Sequence, residues 1–168
     1  YVFTPDGHVV DLPESATAVD FAFRIHSDIG LRCKGAKVNG RIVPLNQTLK
    51  TADQVEILTA NRESPSRDWL IPALGYITTS KARSRLQAWF KQQDREQNVA
   101  DGRALLDREF LRLAFENVDY EQLAQKLNLK TLDDLYAAVG TGDLSVDRII
   151  NAAQRLFKVD KTPELATS

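Results

Sequence analysis

The segment AKVNGRIVP, residues 36–44, predicts a β-hairpin and decides the kind of fold to expect. Asn39 and Gly40 separate two short runs of β-forming residues. This dipeptide is typical of a two-residue type I′ turn, because both turn positions require a positive φ. Further along, Val55 and Ile57 alternate with polar residues, which predicts another strand. Three strands are therefore expected in this part of the chain.

A second hairpin and a helix precede these strands. The tripeptide Pro-Asp-Gly at residues 5–7 lies between two short β-rich runs, and its Pro and Gly favour a turn. The following segment predicts a helix with Thr17 as N-cap and Asp20 close to completing a capping box. Gly30 is placed to end this helix in the left-handed conformation. The apolar face of the helix is formed by Ala18, Phe21, Ala22 and Ile25.

The resulting element order is ββαβββ, a small mixed sheet crossed by one helix, which is the β-grasp architecture of ubiquitin. We assign this domain to residues 1–61. The polar segment 62–78 is expected to be a linker, and residues 79–158 are expected to form an all-α helical domain. The last residues, 159–168, are expected to be a flexible tail. The predicted fold class is therefore α+β, a ubiquitin-like β-grasp domain followed by helices.

The helical domain is predicted from amphipathic segments and their caps. Thr79 or Ser80 can cap a helix over residues 81–97. A later short helix is expected to begin after Thr131 and to stop at Gly140. The chain starts without Met, so we expect it to be a piece of a longer protein.

Composition excludes several function classes. The chain has 168 residues, one cysteine and two histidines, so neither a disulfide framework nor a structural zinc site is expected. It contains no phosphate-binding loop, no nucleophile elbow and no zinc-protease motif. No apolar run is long enough to span a membrane. We therefore expect a cytoplasmic domain without catalytic residues, metal or cofactor.

The lone cysteine, Cys33, is interpreted as a small apolar core residue at the start of the third strand. Arg32 and Lys34 flank it, and two cations beside a thiol can favour the reactive thiolate. Side chains alternate along a strand, so an inward Cys33 places both cations outside. The core interpretation is preferred.

His26 lies at the border of the predicted helix face, in the last turn. Spacing alone favours a capping or surface histidine, which the helix dipole would stabilise in its charged form. The neighbouring cations Arg24, Arg32, Lys34 and Lys37 allow the alternative that it contacts a ribose hydroxyl or stacks on a base. The pattern leaves both alternatives open.

Basic charge is concentrated in the middle of the chain. Residues 62–97 carry seven basic and four acidic groups, a net charge of +3, although the whole chain has a net charge of −1. At 100° per residue, four cations fall on one arc of the helix predicted over 81–97, opposite its apolar side. Such an arc could bind RNA phosphates or could be a solvated face. Its members are Lys81, Arg85, Lys91 and Arg95.

Residues 1–60, with the motif IHSD followed by LRCKG, resemble the TGS domain of long RelA/SpoT-homologue enzymes. The continuation SPSRDWLIPALGYITTSKARSRLQAWFKQQDRE is similar to the segment that follows TGS in these proteins, and 98–157 fits their helical domain by its helical character. These enzymes make, and in many cases hydrolyse, the alarmone (p)ppGpp of the bacterial stringent response. Their catalytic domains precede TGS. The resemblance therefore implies that this chain is a regulatory piece of a GTP pyrophosphokinase, and that this piece has no catalytic activity of its own.

The resemblance also implies a partner and a site. In ribosome-associated members, the TGS domain receives the 3′-CCA end of an uncharged tRNA, and the histidine of the IHSD motif, matched by His26, makes that contact. Family members often have a second histidine where this chain has Leu31, which leaves His26 as the motif's only histidine. The supporting contacts would come from Arg24, Arg32, Lys34 and Lys37.

The alternative partner implied by the resemblance is a protein. SpoT-like members use TGS to bind acyl carrier protein, an acidic partner that the same cations would suit. With either partner, Lys81, Arg85, Lys91 and Arg95 would meet RNA backbone phosphates or pack against other domains of the parent protein. Competition between tRNA and such a protein ligand would separate the two alternatives.

Overall fold

The computed structural model describes residues 1–157. The chain forms two compact units, one of residues 1–88 and another that begins at Trp89. Within the described residues, every strand belongs to the first unit and the second unit is helical. The predicted α+β class is thus confirmed. Residue 158 and the tail predicted at 159–168 lie outside the described residues.

The first unit is built on five short strands. The first two form an antiparallel hairpin, and the other three form an antiparallel sheet in the order β4-β3-β5. A parallel bridge between Phe3 and Gln54 joins the hairpin to this sheet. The predicted β-grasp arrangement is confirmed. The strands are β1 Val2–Phe3, β2 Val9–Val10, β3 Cys33–Val38, β4 Arg41–Val43 and β5 Val55–Thr59.

The turn between β3 and β4 forms as predicted. Asn39 and Gly40 have φ values of 53° and 84°, the two positive values that a type I′ turn requires. The Asn39 side chain also accepts a hydrogen bond from the Gln54 backbone N–H at 2.9 Å and donates one to Asp53 at 3.0 Å. The turn is therefore tied to the start of β5.

The core of the first unit lies between this sheet and the first helix. Helix α1, Ala18–Ile25, begins with the predicted capping box of Thr17 and Asp20. Its buried face includes Phe21, which packs in a cluster with residues from three strands and a loop. The cluster consists of Val2, Phe21, Val38, Leu49 and Val55, with Val10, Leu12, Val43 and Ile57 packed against it.

The helix does not continue to Gly30 as predicted. It ends at Ile25, and a separate short helix, α2, runs over Ser27–Leu31. Gly30 lies inside α2 and is not left-handed. A Cβ at this position would overlap the ring of buried Phe23, so a close approach between helices explains the glycine.

The segment predicted as a linker has structure of its own. Two short 3₁₀ helices occur in it, at Arg67–Leu70 and Pro72–Leu74. Four of its large apolar side chains are buried, and the segment falls within the first compact unit. These side chains belong to Trp69, Leu70, Ile71 and Ile77.

A buried carboxylate attaches this segment to the β-grasp helix. Asp20 is 1% exposed, and its oxygens accept hydrogen bonds from the backbone N–H groups of Thr78 and Thr79 at 3.0–3.2 Å. The two threonine hydroxyls donate to the same carboxylate at 2.8 and 3.0 Å. Asp20 also accepts from the Thr17 N–H at 3.0 Å. The Asp20 side chain thus caps α1 and also binds the two threonines that precede the next helix, Ser80–Lys91.

The helical part contains five helices within the described residues. The helix predicted over 81–97 is wrong, because α3 ends at Lys91 and α4 begins anew at Arg95 with Asp94 as its N-cap. Thr79 does cap α3, since its hydroxyl accepts from the Ala82 N–H at 3.3 Å. The helices are α3 Ser80–Lys91, α4 Arg95–Arg112, α5 Tyr120–Lys126, α6 Leu132–Thr141 and α7 Val146–Phe157.

Helices α4 and α6 pack at very short range. A Cβ on Gly102 of α4 would overlap the Tyr136 carbonyl oxygen, and one on Gly140 of α6 would overlap that of Asn98. Gly140 therefore does not stop α6 as predicted. The left-handed residue that ends this helix is Gly142, with φ 81°.

Candidate nucleic-acid interface

His26 occupies the junction between α1 and α2. Its backbone N–H donates to the Ala22 carbonyl at 3.2 Å and closes α1. Its ring Nδ1 accepts from the Asp28 N–H at 3.0 Å and caps α2. The single residue therefore ends one helix and begins the next.

This cap assigns the proton of the neutral ring. Because Nδ1 uses its lone pair to accept from Asp28, the hydrogen belongs on Nε2. The side chain is exposed, and Nε2 has no hydrogen-bond partner among residues 1–157. The capping interpretation is thus confirmed, in the form of an N-cap, and the ring still presents a donor that an external group can accept.

Two predicted cations lie close to His26 in the chain. Arg24 is exposed in the last turn of α1. Arg32 ends α2, where its Nε lies 3.1 Å from an oxygen of Asp28 and its Nη1 donates to the Ala60 carbonyl at 3.3 Å. Asp28 therefore contacts both His26 and Arg32, and it orders the two side chains relative to each other.

The two predicted lysines are placed differently from each other. Lys34 is exposed at the start of β3, just after α2. Lys37 lies three residues further along, about 10 Å at 3.3 Å per residue. It pairs across the sheet with Ile42 and Glu56, and the latter is a carboxylate on the neighbouring strand. Lys37 therefore belongs to the sheet surface and is displaced from the His26 end of β3.

Asp28 is the member of this group that sequence inspection missed. The signal was present in the order His-Ser-Asp, in which a capping residue is followed two positions later by an acid in the first turn. The apolar spacing of α1 concealed it, because that spacing suggested one uninterrupted helix.

Cys33 is a core residue, as preferred from the sequence. It is 4% exposed, and burial raises the pKa of its thiol from 9.0 to about 11. The thiol therefore stays neutral across the physiological pH range, and a role as a reactive nucleophile is not supported.

We expect Cys33 in the folded chain to react with iodoacetamide about 100-fold more slowly at pH 8 than in the urea-unfolded chain, because two pKa units remove that fraction of thiolate. Since the folded pKa is raised, the neutral thiol stabilises the fold below about pH 9, and this contribution is lost towards pH 11. Mass spectrometry of the alkylated chain measures both rates. Equal rates would contradict the burial of this thiol.

The cationic arc predicted over 81–97 is wrong. Arg95 belongs to α4, on a different helix from the other three cations. Lys91 forms an ion pair with Asp143 at 2.9 Å, and Arg95 forms one with Asp134 at 2.7 Å. The four cations therefore do not share one free face. Lys81 and Arg85 remain exposed on α3.

Across residues 1–157, no three acidic, histidine or cysteine side chains come together as a metal site would require. None of the helices described there has the length and apolar character needed to cross a membrane.

Comparison with known families identifies both units. Residues 1–59 match the TGS domain, and residues 89–154 match the RelA/SpoT AH domain. The first unit thus contains a TGS domain of β-grasp fold, and the second contains an AH domain.

Similarity to curated proteins extends over nearly the whole chain. The chain is 47% identical over 165 residues to the GTP pyrophosphokinase of Escherichia coli K12, and this alignment covers 98% of the chain and 22% of that protein. The Haemophilus influenzae GTP pyrophosphokinase is 51% identical over 162 residues, 95% of this chain and 22% of its own length. The chain therefore contains a TGS domain and a RelA/SpoT AH domain, and it spans about a fifth of the length of these relatives, which are named GTP pyrophosphokinases.

A relative with a different name also matches. The probable guanosine-3′,5′-bis(diphosphate) 3′-pyrophosphohydrolase of Synechocystis is 38% identical over 155 residues, 90% of this chain and 20% of that protein. The same pair of domains therefore accompanies proteins named for synthesis and a protein named for hydrolysis.

Proposed function

We propose that this chain is a regulatory, non-catalytic region of a bacterial RelA/SpoT-type GTP pyrophosphokinase in the cytoplasm. Its TGS domain would bind the 3′-CCA end of uncharged tRNA on the ribosome. Binding would then be relayed to (p)ppGpp synthesis by the catalytic domains of the parent protein. The observation that carries the proposal is His26, a capping residue whose ring nitrogen Nε2 stays available at the surface.

The geometry suits recognition of a free RNA end. A terminal ribose offers hydroxyl groups that accept from Nε2–H, and an unstacked adenine can lie against an imidazole or a guanidinium plane. Because the cap fixes Nδ1, the ring direction is set before the ligand arrives. Binding then costs less side-chain entropy than it would for a freely rotating histidine.

The same site can discriminate against aminoacylated tRNA. An aminoacyl group replaces a ribose hydroxyl with an ester and adds bulk and a positive charge. Arg24 and Arg32 are cations near His26 in the chain, and they would repel the added ammonium group. Specificity would therefore come from rejection of the charged tRNA as well as from attraction of the free end.

We expect His26→Asn to lower activation by uncharged tRNA about tenfold or more, since it removes a hydrogen bond worth about 1.5 kcal/mol. Asn is a good N-cap, so its side-chain oxygen can still accept from Asp28 and the domain should keep its stability. His26→Ala loses both the cap of α2 and the Nε2 donor, and the lost cap is expected to cost about 1 kcal/mol of stability as well. The assay is (p)ppGpp synthesis by the full-length protein with ribosomes and uncharged tRNA.

His8→Asn is the matched control. This second histidine is 77% exposed in the first hairpin and pairs with Asp6 at 2.9 Å. The variant should be activated like the wild type. Full activation of His26→Asn, or equal activation by charged and uncharged tRNA in the wild type, would refute the proposal. Loss of acyl carrier protein binding in His26→Asn, with tRNA activation intact, would favour the protein-docking alternative.

A further inference from the structure

A basic groove lies between α5 and α7 in the helical unit. It encloses about 360 Å³, within the range of small-ligand sites. Three of its lining residues are cations, one is an amide, and two are apolar. We call this feature the basic groove; its lining residues are Lys126, Leu127, Arg148, Asn151, Ala152 and Arg155.

The three cations of the basic groove are uncompensated. All three are exposed, and none of them forms an ion pair with another residue in the part of the chain that the structure describes. No described lining residue carries a carboxylate. By contrast, Lys91 and Arg95 of the same unit are paired with aspartates. The groove is therefore a local positive site.

Helix α7 places the two arginines on one face. Arg148 and Arg155 are seven residues apart, two turns and about 10 Å along the helix, with Asn151 between them. Long arginine side chains separated in this way can converge on one ligand between them. Their planar guanidinium groups can each bind two oxygens of a phosphoryl group.

The backbone carbonyls at the end of α5 are hydrogen-bonded, so this helix end does not present unpaired carbonyl oxygens to an anion. Asn128 is left-handed, with φ 63°, and its N–H donates to the Gln125 carbonyl at 3.0 Å. The Leu129 N–H donates to the Ala124 carbonyl at 2.8 Å, which completes a Schellman ending. Lys126 is thus not needed to satisfy these carbonyls, and its ammonium group can serve a ligand.

We propose that the basic groove binds a compact anion with at least two phosphoryl groups. Three cations match the charge of a diphosphate, and the amide of Asn151 adds a donor. Leu127 and buried Ala152 supply apolar surface for a nonpolar part of the ligand. This site goes beyond the tRNA contact proposed for the other unit and does not depend on it.

A long polyanion such as RNA fits this site less well. Residues 89–157 carry nine basic and twelve acidic groups, a net charge of −3. A nucleic acid strand that extended beyond the basic groove would meet this negative surface, and binding by many phosphates needs positive charge over a wide area. A compact ligand would experience mainly the three cations.

The test is a titration of the full 168-residue chain with inorganic pyrophosphate, followed by calorimetry and by the arginine Nε–Hε signals in ¹H–¹⁵N spectra. We expect one site, with shifts of the Arg148 and Arg155 signals in the wild type. Arg148→Ala with Arg155→Ala should weaken binding by about 100-fold, at roughly tenfold for each charge-assisted contact. Circular dichroism checks that this variant is folded, since both side chains are exposed.

Two lysines provide the matched comparison. Lys126→Ala should weaken pyrophosphate binding, and Lys130→Ala should leave it unchanged, although both remove one exposed charge from the same region. Equal effects of the two variants would overturn the proposal, because they would indicate a dependence on net charge alone. It would also be overturned by absence of binding at millimolar pyrophosphate, or by a ten-nucleotide RNA binding these residues more tightly than pyrophosphate.

Discussion

Gly102→Ala is expected to lower the free energy of unfolding of the helical unit by about 3 kcal/mol or more, because overpacking at a close contact forces backbone shifts. The new Cβ would overlap the Tyr136 carbonyl oxygen, which is backbone and cannot rotate away. Helices α4 and α6 would have to separate, and the reciprocal contact of Gly140 with Asn98 would be lost with them. Urea denaturation followed by circular dichroism measures the change.

The sign of this effect distinguishes the contact from helix propensity. In a helix with free space, Gly→Ala would stabilise by about 1 kcal/mol. Ala104→Gly, at an exposed position two residues further along α4, should cost about 1 kcal/mol through propensity alone. A stabilised Gly102→Ala variant would contradict the short-range packing of α4 on α6.

Asp20→Ala is expected to destabilise the first unit by about 3 kcal/mol. Removing the carboxylate leaves several buried or half-buried donors without an acceptor, and each unsatisfied group costs about 1–3 kcal/mol. The affected groups include the N–H groups of Thr78 and Thr79 and the cap of α1 at Thr17. Asp20→Asn should also destabilise, since its amide N–H₂ would face these donors.

Hydrogen exchange gives a residue-level readout of the same variant. The Thr78 and Thr79 amides should exchange faster in Asp20→Ala, because their acceptor is gone. Asp6→Ala is the control, an exposed aspartate in the first hairpin whose loss should change stability little. If Asp20→Ala and Asp6→Ala unfolded at the same urea concentration, Asp20 would not hold the segment to the domain.

The β-grasp unit was predictable because its signals are local. The Asn39-Gly40 turn, the alternation around Val55 and the capping box at Thr17 each depend on a few neighbouring residues, and the structure confirms all three. These signals also agree with one another, so the element order followed without any knowledge of long-range contacts.

What the sequence did not reveal depends on residues far apart in the chain. The capping box explained Asp20 completely at the local level. Nothing in the pattern therefore indicated its bonds to Thr78 and Thr79, which lie 58 and 59 residues further along the chain. Gly140 followed a short amphipathic segment and therefore resembled a helix stop, although it is a packing position. The break between α3 and α4 was not apparent from the sequence, because the N-cap residue Asp94 lies among other polar residues and does not stand out from them.

Of the candidate RNA site, the position of His26 was predictable and its geometry was not. Its border position on α1 suggested a surface residue, and the break after Ile25 turned that residue into a cap. The cationic arc failed for the same reason as the long helix, because a projection at 100° per residue holds only while the helix continues.

The hydrogen bonds of Asp20 also determine where the TGS region can be cut from the rest. The family match ends at residue 59, but the carboxylate inside the domain finds four of its donors at Thr78 and Thr79. A polypeptide that stopped at residue 61 would lose these four donors and would keep only the helix cap of α1 for this carboxylate. The smallest piece that unfolds as one cooperative body should therefore extend beyond Thr79, twenty residues past the limit of the matched family domain.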